Sequence, residues 1–160
     1  MLAGVIEIDF EHFIEAQGYL EGGLDLARSL GAGNFEAQTL RILATLYAAQ
    51  GRLVEARNLA TLAVEVVRKV GVTFIGPAVL ATKAALIEDR NESRKVLKEA
   101  ESILDSGCVA HNHFWFAQSA IEQSLATGDW DEAERYAAKL EAYTRDQPLP
   151  CQRAMARLNG

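Results

Sequence analysis

Two cysteines, three prolines and no long apolar run set the first limits on this 160-residue chain. Cys108 and Cys151 have no second pair to join them, which argues against both a disulfide-stapled secreted scaffold and a four-cysteine zinc site. A reducing compartment fits this usage. Positive charge is also scarce: sixteen Lys and Arg face twenty-two Asp and Glu, a formal net charge of −6. That balance opposes the phosphate neutralisation on which nucleic-acid affinity rests, so nucleic acid is not an expected partner. The longest stretches free of Asp, Glu, Lys and Arg are Val70 to Thr82 and Ser106 to Ile121. Gly76 and Pro77 interrupt the first, and His111, Asn112, His113, Gln118 and Ser119 the second. Neither resembles the run of about 20 mostly apolar residues that a bilayer requires. The opening MLAGVIEIDFEHF has no basic leader and meets Glu7 and Asp9 early, so no secretory signal is expected. The expectation is a soluble, cytoplasmic protein without a membrane partner.

Apolar residues make up 49% and charged residues 24% of the chain, an ordinary globular balance with enough length for one sizeable core. No segment alternates apolar and polar residues as a strand would, so the chain reads as all-α. Gly31, Gly51, Gly71, Gly107 and Gly128 fall at the edges of periodic apolar segments, where a helix closing on a left-handed residue needs the missing Cβ. Pro77 suits a helix start, and Pro148 and Pro150 a stop. The predicted helices cover 4–17, 19–31, 34–50, 52–70, 76–88, 91–106, 110–127 and 129–146. The helical domain is thus expected over 1–146, with 147–160 as a tail that could carry a short helix.

These eight helices form four pairs, and the pairs repeat. GRLVEA begins at Gly51 and GDWDEA at Gly128, with DRNES at Asp89 near the midpoint and a degenerate GYLEGG at Gly18. A helical-hairpin period of about 34 to 40 residues marks a solenoid. In the second pair Leu40, Leu43, Ala44, Tyr47, Gly51, Ala56, Ala60 and Ala63 follow the tetratricopeptide pattern, and the chain resembles that family. Ala78, Ala81, Thr82, Ala85, Ser93, Leu97 and Ala100 correspond in the third pair. Ala117, Ala120, Ile121, Gly128, Ala133, Ala137 and Leu140 do so in the fourth, while Gly18, Gly23 and Ala27 carry the first. The resemblance implies a right-handed α-solenoid of about four hairpins. The segment from HNHFWF through AIEQSLATGDWDEAERYAAKLEAYTRDQPLP is further similar to the carboxy-terminal region of bacterial multidomain adenylate/guanylate cyclase-like proteins. That likeness implies the tail of a larger signalling protein. The chain itself holds no GxxxxGK[ST] phosphate loop and no metal-binding aspartate pair on a predicted strand, so neither ATPase nor cyclase chemistry is expected of it.

AHNHFWF, from Ala110 to Phe116, concentrates the residues most able to carry chemistry. Cys108, His111 and His113 are zinc-type ligands and support an alternative reading as a metal- or small-ligand-binding enzyme. On a helix, however, His111 and His113 project about 200° apart, and no fourth ligand stands at a familiar spacing. The favoured reading has Asn112 or a neighbour capping a helix, Phe114 and Phe116 packing between repeats, and the histidines bonding backbone at the turn. No metal, cofactor or catalytic residue is assigned; Ser102, Ser106 and Ser119 sit in no nucleophile elbow. Tetratricopeptide registration implies a groove lined by Asp9, His12, Gln38, Arg41, Thr45, Lys83, Trp115, Gln118 and Glu122, with Trp115 as its aromatic anchor. The expected function is protein or peptide binding, or regulation, with the upstream domains of a parent polypeptide as one candidate partner. Apolar Val5, Ile6, Ile8 and Phe10 raise the further expectation of a homodimer.

Overall fold

The structure is a computed structural model and describes residues 13–145. Among the described residues the chain is all-α, with seven helices and no strand. We number them α1 (Phe13–Ser29), α2 (Gly33–Ala49), α3 (Leu53–Val70), α4 (Gly76–Ala85), α5 (Arg90–Asp105), α6 (His111–Ala126) and α7 (Trp130–Tyr143). Gly51 and Gly128, which head the repeated motif, take φ of 76° and 70°, a left-handed geometry that strains any residue with a Cβ. Pro77 lies in the first turn of α4, where its missing N–H costs nothing. Asp89 replaces glycine in the third copy of the motif because it works as a cap: its carboxylate accepts from the Glu92 amide at 2.8 Å.

One predicted boundary is overturned. Gly18 was expected to separate two helices, yet α1 runs unbroken from Phe13 to Ser29 through Gly18, Gly22 and Gly23. Ala16, Leu20, Leu24 and Ala27 recur at helical spacing and are all buried, so packing on α2 outweighs about 1 kcal/mol per helical glycine. The predicted 4–17 helix otherwise lies outside the described residues, as does the 147–160 tail.

Helices pack as neighbours in sequence: α2 on α3, α4 on α5 and α6 on α7, while α4 also touches α2 and α6. Small residues make the closest approaches possible. Ala44, Ala56, Ala63 and Ala81 are completely buried, and the ring of Tyr47, half-buried beside them, lies under the Arg52 guanidinium at 3.8 Å. The core continues through Val79, Ile75 and Leu97 to Phe116 and Tyr136.

Outside the core, α3, α5 and α7 are tied by long charged side chains. Arg68 reaches Glu99 at 2.9 Å, Arg135 reaches Glu101 at 2.7 Å, and Lys139 reaches both Glu101 (2.8 Å) and Asp105 (2.7 Å). Hydrogen bonds from Arg135, helped by Lys139, hold the Glu101 carboxyl at about 2. A carboxylate with a depressed folded-state pKa stabilises fully above its unfolded value of about 4.3 and loses that contribution as pH falls through the folded value. Glu101→Gln should therefore cost on the order of 1 kcal/mol at neutral pH, the modest figure reflecting solvent screening of the two cations. The gap from wild type should close between about pH 4.5 and 2 in urea melts.

Candidate functional site

The first turn of α6 is anchored on the loop between α3 and α4. Asn112 is completely buried, and its Nδ2 donates to the carbonyls of Phe74 (2.8 Å), Val109 (3.2 Å) and Thr73 (3.3 Å). Carbonyls only accept, so the amide nitrogen must face them. The Val109 amide donates to the Thr73 carbonyl at 3.2 Å, and His111 Nε2 lies 2.6 Å from the Phe74 carbonyl, to which it donates. Asn112 or a neighbour was expected to cap α6; Asn112 instead ties two loops, and the cap position, Ala110, makes no side-chain bond.

The seven residues of AHNHFWF point several ways. Phe116 is 1% exposed and meets Tyr136 edge-on at 5.5 Å. Phe114 is only partly buried, edge-on to Tyr143 at 6.0 Å, because a helix turning about 100° per residue cannot send both rings into one core. His113 stacks on Tyr143 at 3.7 Å; burial, with Lys139 nearby, lowers its pKa against a weaker upward pull from Asp105. Cys108 donates its thiol to the Ile103 carbonyl at 3.3 Å, and burial raises its pKa. Cys108, His111 and His113 thus have three different partners. No group of three His, Cys, Asp or Glu among the described residues could hold a metal ion.

Trp115 on α6 meets Arg41 on α2. The Arg41 guanidinium on α2 sits over the indole on α6 at 5.3 Å, and His111 closes on the other ring contact at 4.6 Å. Arg41 donates from Nε to Gln38 Oε1 at 3.0 Å. Its pKa is pushed down to about 10 by burial alone, so it stays protonated at neutral pH with no carboxylate partner among the described residues. Gln38, predicted to line a groove, is buried at 6% exposure and serves as the prop for Arg41. Thr45 is exposed and turns its hydroxyl to the Arg41 carbonyl. Gln118 and Glu122 are exposed and bond each other at 3.1 Å. Lys83 instead lines a cleft of about 310 Å³ with Arg57, Ala60 and Thr61 of α3, which neither Arg41 nor Trp115 borders. Asp9 and His12 lie outside the described residues.

A larger cleft, about 410 Å³, opens between α5 and the α6–α7 turn; its Arg90 and Arg94 both converge on Asp129. Two aromatic residues absent from the predicted groove extend the Trp115 cluster. Phe74 is edge-on to His111 at 5.2 Å, and Phe35 lies 6.2 Å from Phe74. The signal for Phe74 was the pair of charge-free stretches, which the fold brings together at Thr73–Phe74 and Val109–Asn112; Phe35 lies in neither stretch and carried no such signal. Compared with known proteins, the chain matches no family model, no curated protein and no solved structure. No helix among the described residues is long and apolar enough to cross a membrane.

Proposed function

We propose that the chain is a non-catalytic interaction module, a right-handed tetratricopeptide-like array of helical hairpins that binds a protein segment at the Arg41–Trp115 pair. The helix contacts support the array: each leading helix α2, α4 and α6 packs on its own trailing helix, and α4 touches both other leading helices. The proposal extends to context, with the chain forming the tail of a larger signalling protein.

The observation that carries the binding reading is the condition of Arg41. A largely buried guanidinium held by Gln38, lying on an indole and lacking an acid among the described residues is a cation awaiting a counter-charge. Trp115 adds the rigid apolar area typical of an interface anchor. Charge would set the register of a bound segment, and the ring would supply buried surface.

A fluorescence titration tests this. Trp115 and Trp130 are the two tryptophans, and Trp130 is 63% exposed, so Trp130→Phe leaves a single reporter at the site. Peptides selected from a random displayed library should shift its emission. Trp115→Ala should weaken their binding by about 2 kcal/mol or more, measured by calorimetry. Arg41→Gln should weaken those that carry an acid. Selected peptides that bind both variants as tightly as wild type would defeat the proposal.

A further inference from the structure

The two edges of the helical array differ in chemistry. Turns that join one hairpin to the next, α1–α2, α3–α4 and α5–α6, meet on one edge: a Cβ on Gly33 would strike Val70, Phe35 faces Phe74, and the Val109 amide bonds Thr73. Turns within hairpins carry Arg52, Glu88, Asp89, Arg90 and Asp129. The first edge has no Asp, Glu, Lys or Arg from Val70 to Thr82 or from Ser106 to Ile121, yet it presents Leu30 at 71%, Phe35 at 52%, Val70 at 47% and Val109 at 44% exposure. The other edge also exposes Leu53, Val54 and Trp130, but beside charged turn residues, whereas the charges nearest Leu30 and Phe35, those of Arg28 and Glu36, pair with each other at 2.9 Å, so the exposed apolar side chains of the first edge mark an interaction surface.

This edge is continuous with the Arg41–Trp115 pair through Phe35, Phe74 and His111. We infer that it is the second half of one docking surface, and that its occupant is a protein segment carrying an acidic residue beside two or more bulky apolar side chains. The inference rests on the binding reading of Arg41 and Trp115. Charge complementarity selects the occupant: among the described residues Arg41 is the cation that lies over the aromatic series, and it has no acid partner there, so a carboxylate is favoured. Beyond it the charge-free stretches from Val70 to Thr82 and from Ser106 to Ile121 leave room for apolar side chains, and Arg28 is already paired with Glu36. A lipid surface fits less well, because the Arg28 and Arg68 that flank the edge are paired with Glu36 and Glu99 and the chain carries −6 overall.

The test uses the full chain and a random peptide library displayed on phage, followed by synthetic copies of the enriched sequences. Those sequences should hold an acid flanked by apolar residues. Phe35→Ser and Val109→Ser should each weaken binding roughly tenfold, and Leu30→Ser measurably, whereas Val54→Ser, on an α3 residue 68% exposed, should change nothing. Circular dichroism melts identify any variant that fails to fold, and Leu30 is exposed enough to serve if Phe35 does not. Replacing the peptide's acid by its amide should abolish the effect of Arg41→Gln. Trp115-dependent binding that ignores Phe35, Val109 and Leu30 would overturn the edge while leaving the binding reading intact. Binding indifferent to Trp115 and Arg41 would remove both. Flotation with neutral phosphatidylcholine vesicles that is lost in Val109→Ser would assign the edge to lipid and overturn the peptide inference.

Discussion

Phe116→Ala is expected to lower the free energy of unfolding by about 3 to 5 kcal/mol, the range for deleting a fully buried ring whose surroundings relax incompletely. Phe116 is 1% exposed, meets Tyr136 edge-on, and sits where the α6–α7 hairpin joins the common core, so its loss leaves a cavity between elements that cannot close independently. Phe114→Ala should cost about 1 to 2 kcal/mol, since that ring is only partly covered and, among the described residues, meets one ring, that of Tyr143. Trp115→Ala should fall between them in stability while having the largest effect on a bound peptide. Urea melts of the three variants, set beside the titration, would check the order. A Phe114 variant less stable than the Phe116 variant would show the helical phase of α6 to be misplaced.

That order separates what the sequence made legible from what it did not. Helix ends were readable at Gly51 and Gly128 because a left-handed residue is a local requirement, set by sterics at one position. Gly18 deceived for the converse reason: a glycine inside a helix is only a local cost, and the distant partner of Leu20 and Leu24 decides whether it is tolerated. Small residues at Ala56, Ala60 and Ala63 announced close helix packing, and all three are buried. Phe114 and Phe116 could not be ranked, because which of two alternate residues faces the core depends on the placement of the neighbouring hairpin.

The candidate site was legible by residue and less so by contact. Arg41 and Trp115 were both expected on one face, but 74 positions separate them, and their meeting depends on how α2, α4 and α6 stack. Gln38 had the right periodicity and a different role, since burial turned it from a lining residue into a prop for Arg41. Arg135 bonds Glu132 three residues away, a pairing that spacing alone suggests, but Arg135 and Lys139 also reach Glu101 and Asp105 one hairpin away, which spacing cannot show.

Asn112 offers the sharpest single test of that longer-range order, because Asn112→Asp changes the chemistry with almost no change in shape. A carboxylate at this completely buried position would face the carbonyl oxygens of Thr73, Phe74 and Val109 and have nothing to accept from. The variant should lose about 3 kcal/mol or more at neutral pH, as expected for an uncompensated buried charge. Its folded-state pKa must then lie above the unfolded value of about 3.9, so the penalty grows as pH rises through the folded value and fades below the unfolded one. Once protonated, the acid can donate to the Phe74 carbonyl as the amide does, and the variant should regain most of the wild-type stability near pH 4. Asn112→Leu removes the donor without adding charge, so it should cost about 1 to 3 kcal/mol with no such recovery. Paired melts from pH 4 to 8 distinguish the two. Equal loss for Asp at both ends of that range would show that Asn112 contributes shape alone, and that the bonds from α6 to the Thr73–Phe74 loop do not hold the leading helices in register.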